Sequence, residues 1–398
     1  MTAETGWRLR SPSATLALIR PHLESFGITR IANLTGLDRI GIPTVMVCRP
    51  NSRSVAVSLG KGLDLDAALA SGVMEAIEVA HAETMTLPLK LNSYHELAGR
   101  HRLADPERLP RLEGAGWDPG RRMLWLEGQD LVADRPVWLP HELVSADYTL
   151  PLPPGSLVFA ANTNGLASGN DMAEAQLHGL FEVIERDAVT LWRLEGSAGR
   201  ERTRLDLATV DDPACRGLLE RFAAADVAVA VWDVTSDLGL PTYYAMIQDR
   251  AGGDPDFGGG CHTAPEVALA RALTEAAQTR LASISGARDD FLPELYDRDR
   301  RERRERTARH WLREGAPALG FDRWPRVAQA PAAALLPPVL DRLAGQGLDQ
   351  AIAVDLSRPD MPVAVARVVV PRLEGPSAGH GGAIVRGERA RRKQAAAA

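Results

Sequence analysis

An α/β architecture, in the α+β sense of a mixed sheet with packed helices, is what this sequence predicts. Three observations carry that expectation: short β-like runs recur along the chain, long amphipathic helical patterns lie between them, and three of those patterns resemble one another. The β-like runs are PTVMV at 43–47, SVAVSL at 54–59, SLVFAA at 156–161, VAVAVWDVT at 227–235, LPTYYAMI at 240–247, AIAVDL at 351–356 and PVAVARVVV at 362–370. SDLG separates the pair at 227–235 and 240–247, and its polar and glycine content suits a hairpin.

The helical patterns read AALASGVMEAIEVAHA at 67–82, EAQLHGLFEVIERDAV at 174–189 and VALARALTEAAQTR at 267–280. Alanine and glutamate recur at one spacing: Ala68 and Glu75, Ala175 and Glu182, Ala268 and Glu275. Three residues after each glutamate comes another polar residue: Glu78, Glu185 and Gln278. The period is irregular, which excludes a solenoid and points to one helix type used three times. Residues 286–313 are charge-dense and read as a solvated helix or linker. From 376 the sequence drifts from PSAGHGG into RGERARRKQAAAA, read as a mobile tail.

Composition narrows the classes. With 45% hydrophobic and 25% charged residues the 398-residue chain has enough apolar mass for a sizeable core. A net charge of −6 is too mild to indicate a nucleic-acid or membrane surface. No apolar run is long enough to span a bilayer, and MTAETGWRLR is followed by no signal-like apolar region, so a cytoplasmic protein is the expectation. Cys48, Cys215 and Cys261 are too scattered for a disulfide framework or a structural zinc site, and read as small core residues.

The glutamates carry the chemistry. Residues i and i+3 share a helix face, so Glu75 with Glu78, and Glu182 with Glu185, present paired carboxylates beside apolar residues such as Ile77, Leu180 and Ile184. Burying unpaired carboxylates is costly, so a cation should meet them. One isolated E-x-x-E is most simply a solvated surface. Repetition changes that: Glu75, Glu78, Glu182, Glu185 and Glu275 on three helices form a set of hard oxygen donors suited to Mg²⁺ with waters and phosphate oxygens. Arg186 and Arg271 supply part of the counter-charge, and His178 reads as a packing or supporting residue. Before the middle helix, NTNGLASGNDMAEA at 162–175 combines a glycine-bearing loop with Asn170 or Asp171 as helix cap, a sensible anion site. GKG at 60–62 lacks the spacing of a phosphate-binding P-loop, and no dinucleotide fingerprint follows a strand.

With those residues in view, the stretches GKGLDLDAALASGVMEAIEVAHAE, NTNGLASGNDMAEAQLHGLFEVIERDAVTLW, ALARALTEAAQTRLASISGARDD and VDLSRPDMPVAVARVVVPRLE together resemble the YcaO family of ATP-dependent peptide-backbone-modifying enzymes, with coverage from about Gly27 to Glu374. The resemblance implies a YcaO-like catalytic unit over 1–375 with pseudo-symmetric halves, a helical insertion at 286–345 and a flexible tail at 376–398. It implies ATP held without a P-loop. Ser71, Asn170, Glu174, Arg186 and Arg271 would contact nucleotide, Arg186 and Arg271 would serve catalysis, and Glu75, Glu78, Glu182, Glu185 and Glu275 would ligate Mg²⁺. The family's N-terminal basic phosphate contact has no clear counterpart, with Arg10 as a stand-in. The implied reaction activates a backbone amide of a precursor peptide or protein by O-phosphorylation. The N-terminal stretch GITRIANLTGLDRIGIPTVMVCRPNSRSVAVSLGKG is similar to members that work with a TfuA partner and form thioamides. The end RRKQAAAA lacks the P-x-P-x-P of many azoline-forming members. The alternatives are an azoline- or amidine-forming cyclodehydratase and a nucleotide-binding accessory factor for a ribosomal methylthiotransferase. A homodimer is also implied.

Overall fold

Residues 6–291, 293–328 and 330–397 are described in a computed structural model. A strap at 6–11 leads into α1 (Pro12–Ile19) and then β1 (Arg30–Asn33), β2 (Thr44–Cys48), β3 (Val57–Lys61) and α2 (Leu65–Glu83). Next come β4 (Lys90–Asn92), α3 (Tyr94–Ala98), β5 (Met123–Asp130), β6 (Arg135–Pro140), β7 (Leu166–Gly169) and α4 (Met172–Leu194). The chain continues through α5 (Gly196–Thr203), α6 (Pro213–Ala224), β8 (Val227–Asp233), β9 (Thr242–Asp249), β10 (Asp256–Cys261) and α7 (Pro265–Ser285). It ends with α8 (Arg298–Arg313), α9 (Ala332–Gly345), β11 (Ile352–Asp355), β12 (Ala364–Val369), the short pair β13 (Ala378–Gly379) and β14 (Gly382–Ala383), and α10 (Glu388–Ala397).

The strands form sheets of order β1-β2-β3, β10-β9-β8 and β4-β5-β11-β12-β7, with β6 paired to β5, besides the small β13-β14 pair. Every pairing between described strands is antiparallel, which places the molecule at the α+β end of the expected class. No described helix is long and apolar enough to cross a membrane.

The internal similarity is carried by three strand–helix units, β3–α2, β7–α4 and β10–α7, each built on an edge strand of its own sheet. Each helix folds back closely on its strand. A Cβ at Gly60 would collide with the Ala68 carbonyl, one at Gly260 with the Ala268 carbonyl, and one at Gly169 with the Ala175 amide. Strand glycine and helix alanine are therefore two halves of one contact, and the recurring Ala68, Ala175 and Ala268 are its helical half. Asp64 and Asp171 cap α2 and α4, accepting from Ala67 N at 2.7 Å and Glu174 N at 2.9 Å. Apolar cores lie between α2 and the large sheet, between α6, α7 and the β8–β10 sheet, and between α4, α9 and β12.

Several expectations shift. The three helices are longer than their periodic centres, and the 227–235 and 240–247 runs do pair as a hairpin, β8 with β9. The run at 156–161 is not a regular strand. Leu157 has φ 67° just after the Pro153-Pro154-Gly155 turn, and the segment makes only isolated bridges such as Arg111 with Phe159 and Ala161 with His380. The strand there is β7, inside the stretch expected as a loop. Residues 286–345 hold α8 and α9. The stretch from 376, expected as a flexible tail, is folded as far as residue 397. The Glu374 carboxylate accepts from Gly387 N at 3.1 Å and Ala390 N at 2.9 Å, and Arg389 pairs with Asp187 of α4 at 2.9 Å.

Candidate active site

The helices of the three units converge. On α2, Glu75 accepts from Leu59 N of its own strand at 3.4 Å, while Glu78 reaches the next unit and accepts from Ser168 N at 2.8 Å and Ser168 Oγ at 2.5 Å. On α7, Glu275 accepts from Gly259 N of its own strand at 3.4 Å, while Gln278 Nε2 donates to Leu59 O of the first unit at 3.4 Å. On α4, Glu185 lies against Gly259, where a side chain would strike it. The second polar residue of every helix thus touches the neighbouring unit's edge strand, in a closed ring. The carboxylates of the three helices act on one another: Glu182 on Glu75 and Glu78 of α2, and Glu275 of α7 on Glu182 and Glu185 of α4.

Burial and mutual repulsion dominate here. Desolvation, then the charges of Glu75 and Glu182, push Glu78 up to about 8 in spite of the Ser168 hydrogen bonds. Burial also raises Glu75 and Glu182. Glu185 is raised by burial and by the neighbouring Glu275. Glu275 moves the other way: burial opposes its ionisation, but Lys61, with Nζ 2.9 Å from its Oε2, together with Arg186 and Arg271 outweighs that. Arg186, on the exposed side of α4, holds its proton more firmly because of Glu185, Glu275 and Glu182.

This donor set fits a divalent cation. Several enclosed carboxylates lack a full counter-charge, and their oxygens are the hard donors Mg²⁺ prefers. Among the described residues no three acidic, imidazole or thiol groups stand close enough to form a protein-only cage. A bound Mg²⁺ would therefore complete its shell with water and ligand oxygens, its usual mode.

A cationic side faces the carboxylates. Arg271 Nη2 lies 3.3 Å from His178 Nε2, and burial together with Arg271, Arg8 and Lys61 keeps His178 well below its ordinary value, so the ring is neutral. Asn170 and Glu174 are paired: Asn170 N and Nδ2 both donate to Glu174 Oε2 at 2.9 Å, and Thr15 Oγ1 donates to Asn170 Oδ1 at 2.7 Å. Glu174 also anchors the N-terminal strap by accepting from Leu9 N and facing Arg8 Nη1 at 3.6 Å. Trp7, edge-on to Phe181 at 6.3 Å, pins that strap. Ser71 is half-buried on α2, one turn before Glu75. Arg10 reaches only the Asn170 carbonyl, at 3.5 Å, whereas Arg8 is in the field of Glu174, Arg271 and Glu78. Arg8, Lys61 and Ser168 were not singled out from the sequence. Lys61 sits in GKG, whose spacing is not that of a P-loop.

Similarity to known proteins gives the family. The family model described as YcaO cyclodehydratase, ATP- and Mg²⁺-binding, matches residues 59–374. An uncharacterized protein in the tfuA 3′ region of Rhizobium leguminosarum bv. trifolii is 36% identical over 378 residues, 92% of this chain and 88% of that one. An uncharacterized protein of Methanothermobacter thermautotrophicus is 38% identical over 369 residues, covering 91% and 94%. The structure of YcaO from Methanopyrus kandleri bound with AMPPCP and Mg²⁺ superposes with TM-score 0.73 at 25% identity, covering 93% of both chains. A heterocyclase in complex with substrate and cofactor shares the fold, with TM-score 0.76 at 22% identity, but this chain (94% covered) spans only 54% of it. The chain belongs to the YcaO family, whose members are ATP- and Mg²⁺-binding proteins.

Proposed function

We propose that the chain is an ATP- and Mg²⁺-dependent enzyme that phosphorylates the oxygen of a backbone amide in a peptide or protein, with sulfide as incoming nucleophile, a thioamide as product and a TfuA-like protein as partner. One observation carries the reading: five glutamates from three helices come together beside Arg8, Lys61, Arg186 and Arg271. Burial pushes the nearby Cys261 thiol up to about 12, and Cys215 is raised still further. Neither is a thiolate at neutral pH, which favours a nucleophile supplied from outside over either thiol. The relative in the tfuA 3′ region supports sulfide over a side chain of the peptide.

In this reading Glu75, Glu78, Glu182, Glu185 and Glu275 would hold Mg²⁺, which when bound neutralises charge on phosphate oxygens. Ser71, Asn170 and Glu174 border the nucleotide. Arg8, Lys61 and Arg271 orient the triphosphate, with neutral His178 steadying Arg271, and Arg186 offsets negative charge as it develops. Hydrosulfide adds to the amide carbon and the carbonyl π pair moves onto oxygen. That oxyanion attacks the terminal phosphorus of ATP, and ADP leaves with the electrons of the broken P–O bond. As C=S forms, the C–O bond breaks and hydrogen phosphate departs with the amide oxygen and the sulfide proton.

The test incubates the chain with ATP, Mg²⁺, sulfide and synthetic peptides from the reading frames flanking its gene, with and without the TfuA-like protein. A gain of about 16 Da per modified amide, with one ADP released for each, is the expected result. Loss of one water would assign azoline or amidine formation. Nucleotide binding without turnover in every combination would assign an accessory role.

A further inference from the structure

Arg367 is the anomaly of the large sheet, a charged residue in the middle of β12 that is only 2% exposed. One guanidinium nitrogen, Nη2, donates to Asn162 Oδ1 at 3.3 Å, while Nε and Nη1 are buried without a partner. Burying a guanidinium with two idle donors is unfavourable unless a ligand supplies acceptors. Its place in the register locates it. Arg367 pairs with Leu166 on β7, and two residues along the same face Val365 pairs with Ser168, the residue that holds Glu78. Its nearest influential groups are Tyr148 and Glu182, and burial brings it down to about 10. Glu182 acts on it electrostatically without forming an ion pair with it, so no carboxylate occupies its two idle donors. Tyr148 stacks on His380 at 4.5 Å with 3° between the rings.

Two ligands could supply acceptors to those idle donors: a terminal phosphate or the amide oxygen that attacks it. The protein's arrangement separates them. Arg8 faces Glu174, Lys61 pairs with Glu275 and Arg271 approaches His178, whereas Arg367 shares none of these partners and meets Asn162 on the large sheet instead.

The geometry points to Arg367, with Asn162 beside it, as the seat of the substrate's backbone amide, Arg367 donating to its oxygen. This deepens the proposed function and rests on it. As the nucleophile bonds to the amide carbon and the π pair moves onto oxygen, the free N–H groups of Arg367 meet the growing charge.

The test compares wild type, Arg367→Gln and Arg367→Lys as full-length chains, with calorimetric titration of Mg·AMPPCP and phosphate release driven by the peptides and sulfide named above. Arg367→Gln should bind Mg·AMPPCP within about 2-fold of wild type while kcat falls about 100-fold or more, the scale of losing an oxyanion donor. Arg367→Lys should recover part of kcat, because it restores charge but not the planar donor set. A loss of Mg·AMPPCP affinity in either variant matching its loss of kcat would place Arg367 on the nucleotide and overturn the inference. Unchanged kcat would overturn it too. If the glutamine variant does not fold, the lysine variant decides by the same criteria, and failure of both to fold makes the arginine structural and ends the proposal. Absence of turnover by the wild type with every peptide fails the underlying reading. Wild-type turnover with unaffected variants fails this inference alone.

Discussion

Two charge-dense parts of the molecule look alike in sequence and behave as opposites in space. Helix α8 is built from RDRRERRERTARHWLR, and its only buried residue is Ala308. Several of its charges pair along the helix at i,i+4, as Arg298 with Glu302 at 3.0 Å and Arg309 with Glu305, and Arg301 and Arg304 reach Asp254 just outside it, all of them at least partly in water. Helices α2, α4 and α7 carry fewer charges, yet theirs meet across units that are far apart in the chain. Lys61 pairs with Glu275 and Glu78 with Ser168. Density of charge therefore says little. What separates a site from a solvated face is whether like charges are desolvated together, because only then must something else neutralise them.

The sharpest way to break that comparison is one isosteric change in each region. Glu182→Gln removes a donor from the desolvated set and should weaken Mg·AMPPCP binding by about 100-fold or more, at the upper end of what disturbing a metal's surroundings costs. Its thermal midpoint should hold or rise, since burial already disfavours the charge it removes. Arg303→Gln on α8 should change both quantities negligibly. Titration calorimetry and thermal melts read both, and equal behaviour would erase the distinction.

The folded end of the chain sharpens it differently. Asp187 is fully buried on α4 and is matched by Arg389, which also pairs with Asp237. Burial raises Asp187 to about 6 even with Arg389 beside it. Arg389→Ala would strand that carboxylate, and we expect a loss of about 2–3 kcal/mol in urea unfolding, somewhat below the usual cost of breaking a buried pair because Arg389 is partly exposed. A loss under about 0.5 kcal/mol would mean that α10 is not held in solution by this ion pair.

These contrasts show how far the sequence could be read. The three helices were visible because a 3.6-residue period and a shared alanine–glutamate offset are local signals. Strand β10, DFGGGC, was not visible, because its glycines have no strand preference and are there to admit the α7 backbone. The β5–β6 hairpin was missed as well, its runs MLWLEGQD and RPVWLP being broken by polar residues and proline. The five glutamates and Arg271 were legible as a set, whereas Arg8 and Lys61 are single cations whose partners lie 166 and 214 residues away, and nothing nearby marks them. Arg367 did carry a signal, a lone charge inside PVAVARVVV, which a strand enclosed on both faces should not tolerate without purpose. The tail failed for the opposite reason: its composition is that of a mobile segment, and the acids that order it, Glu374, Asp187 and Asp237, are contributed by other elements.

Proton linkage gives a smaller, graded version of the same contrast. Glu78 titrates at 4.5 when unperturbed and at about 8 in the folded protein without metal, so between those values the native state binds more protons than the unfolded state. Stability present below pH 4.5 is therefore lost as pH rises toward about 8. Without Mg²⁺ the thermal midpoint should fall across that window. With Mg·AMPPCP the fall should shrink, and binding should release protons that appear as a buffer-dependent heat. A midpoint that rises with pH in the metal-free protein would contradict the desolvated placement of Glu78.

The smallest expected effect is the most exacting, because it applies the Glu182 substitution to the other region. Glu302 on α8 faces Arg298 at 3.0 Å and Arg306 at 3.9 Å, with its side chain 48% exposed. Water already solvates all three groups, and an exposed i,i+4 pair contributes about 0.3–0.5 kcal/mol. Glu302→Gln should therefore shift urea stability by no more than about that amount, vanish into noise above roughly 0.5 M salt where screening is nearly complete, and leave Mg·AMPPCP binding intact. A salt-insensitive loss larger than about 1.5 kcal/mol would show that α8 is an enclosed network, and charge density would then be informative after all.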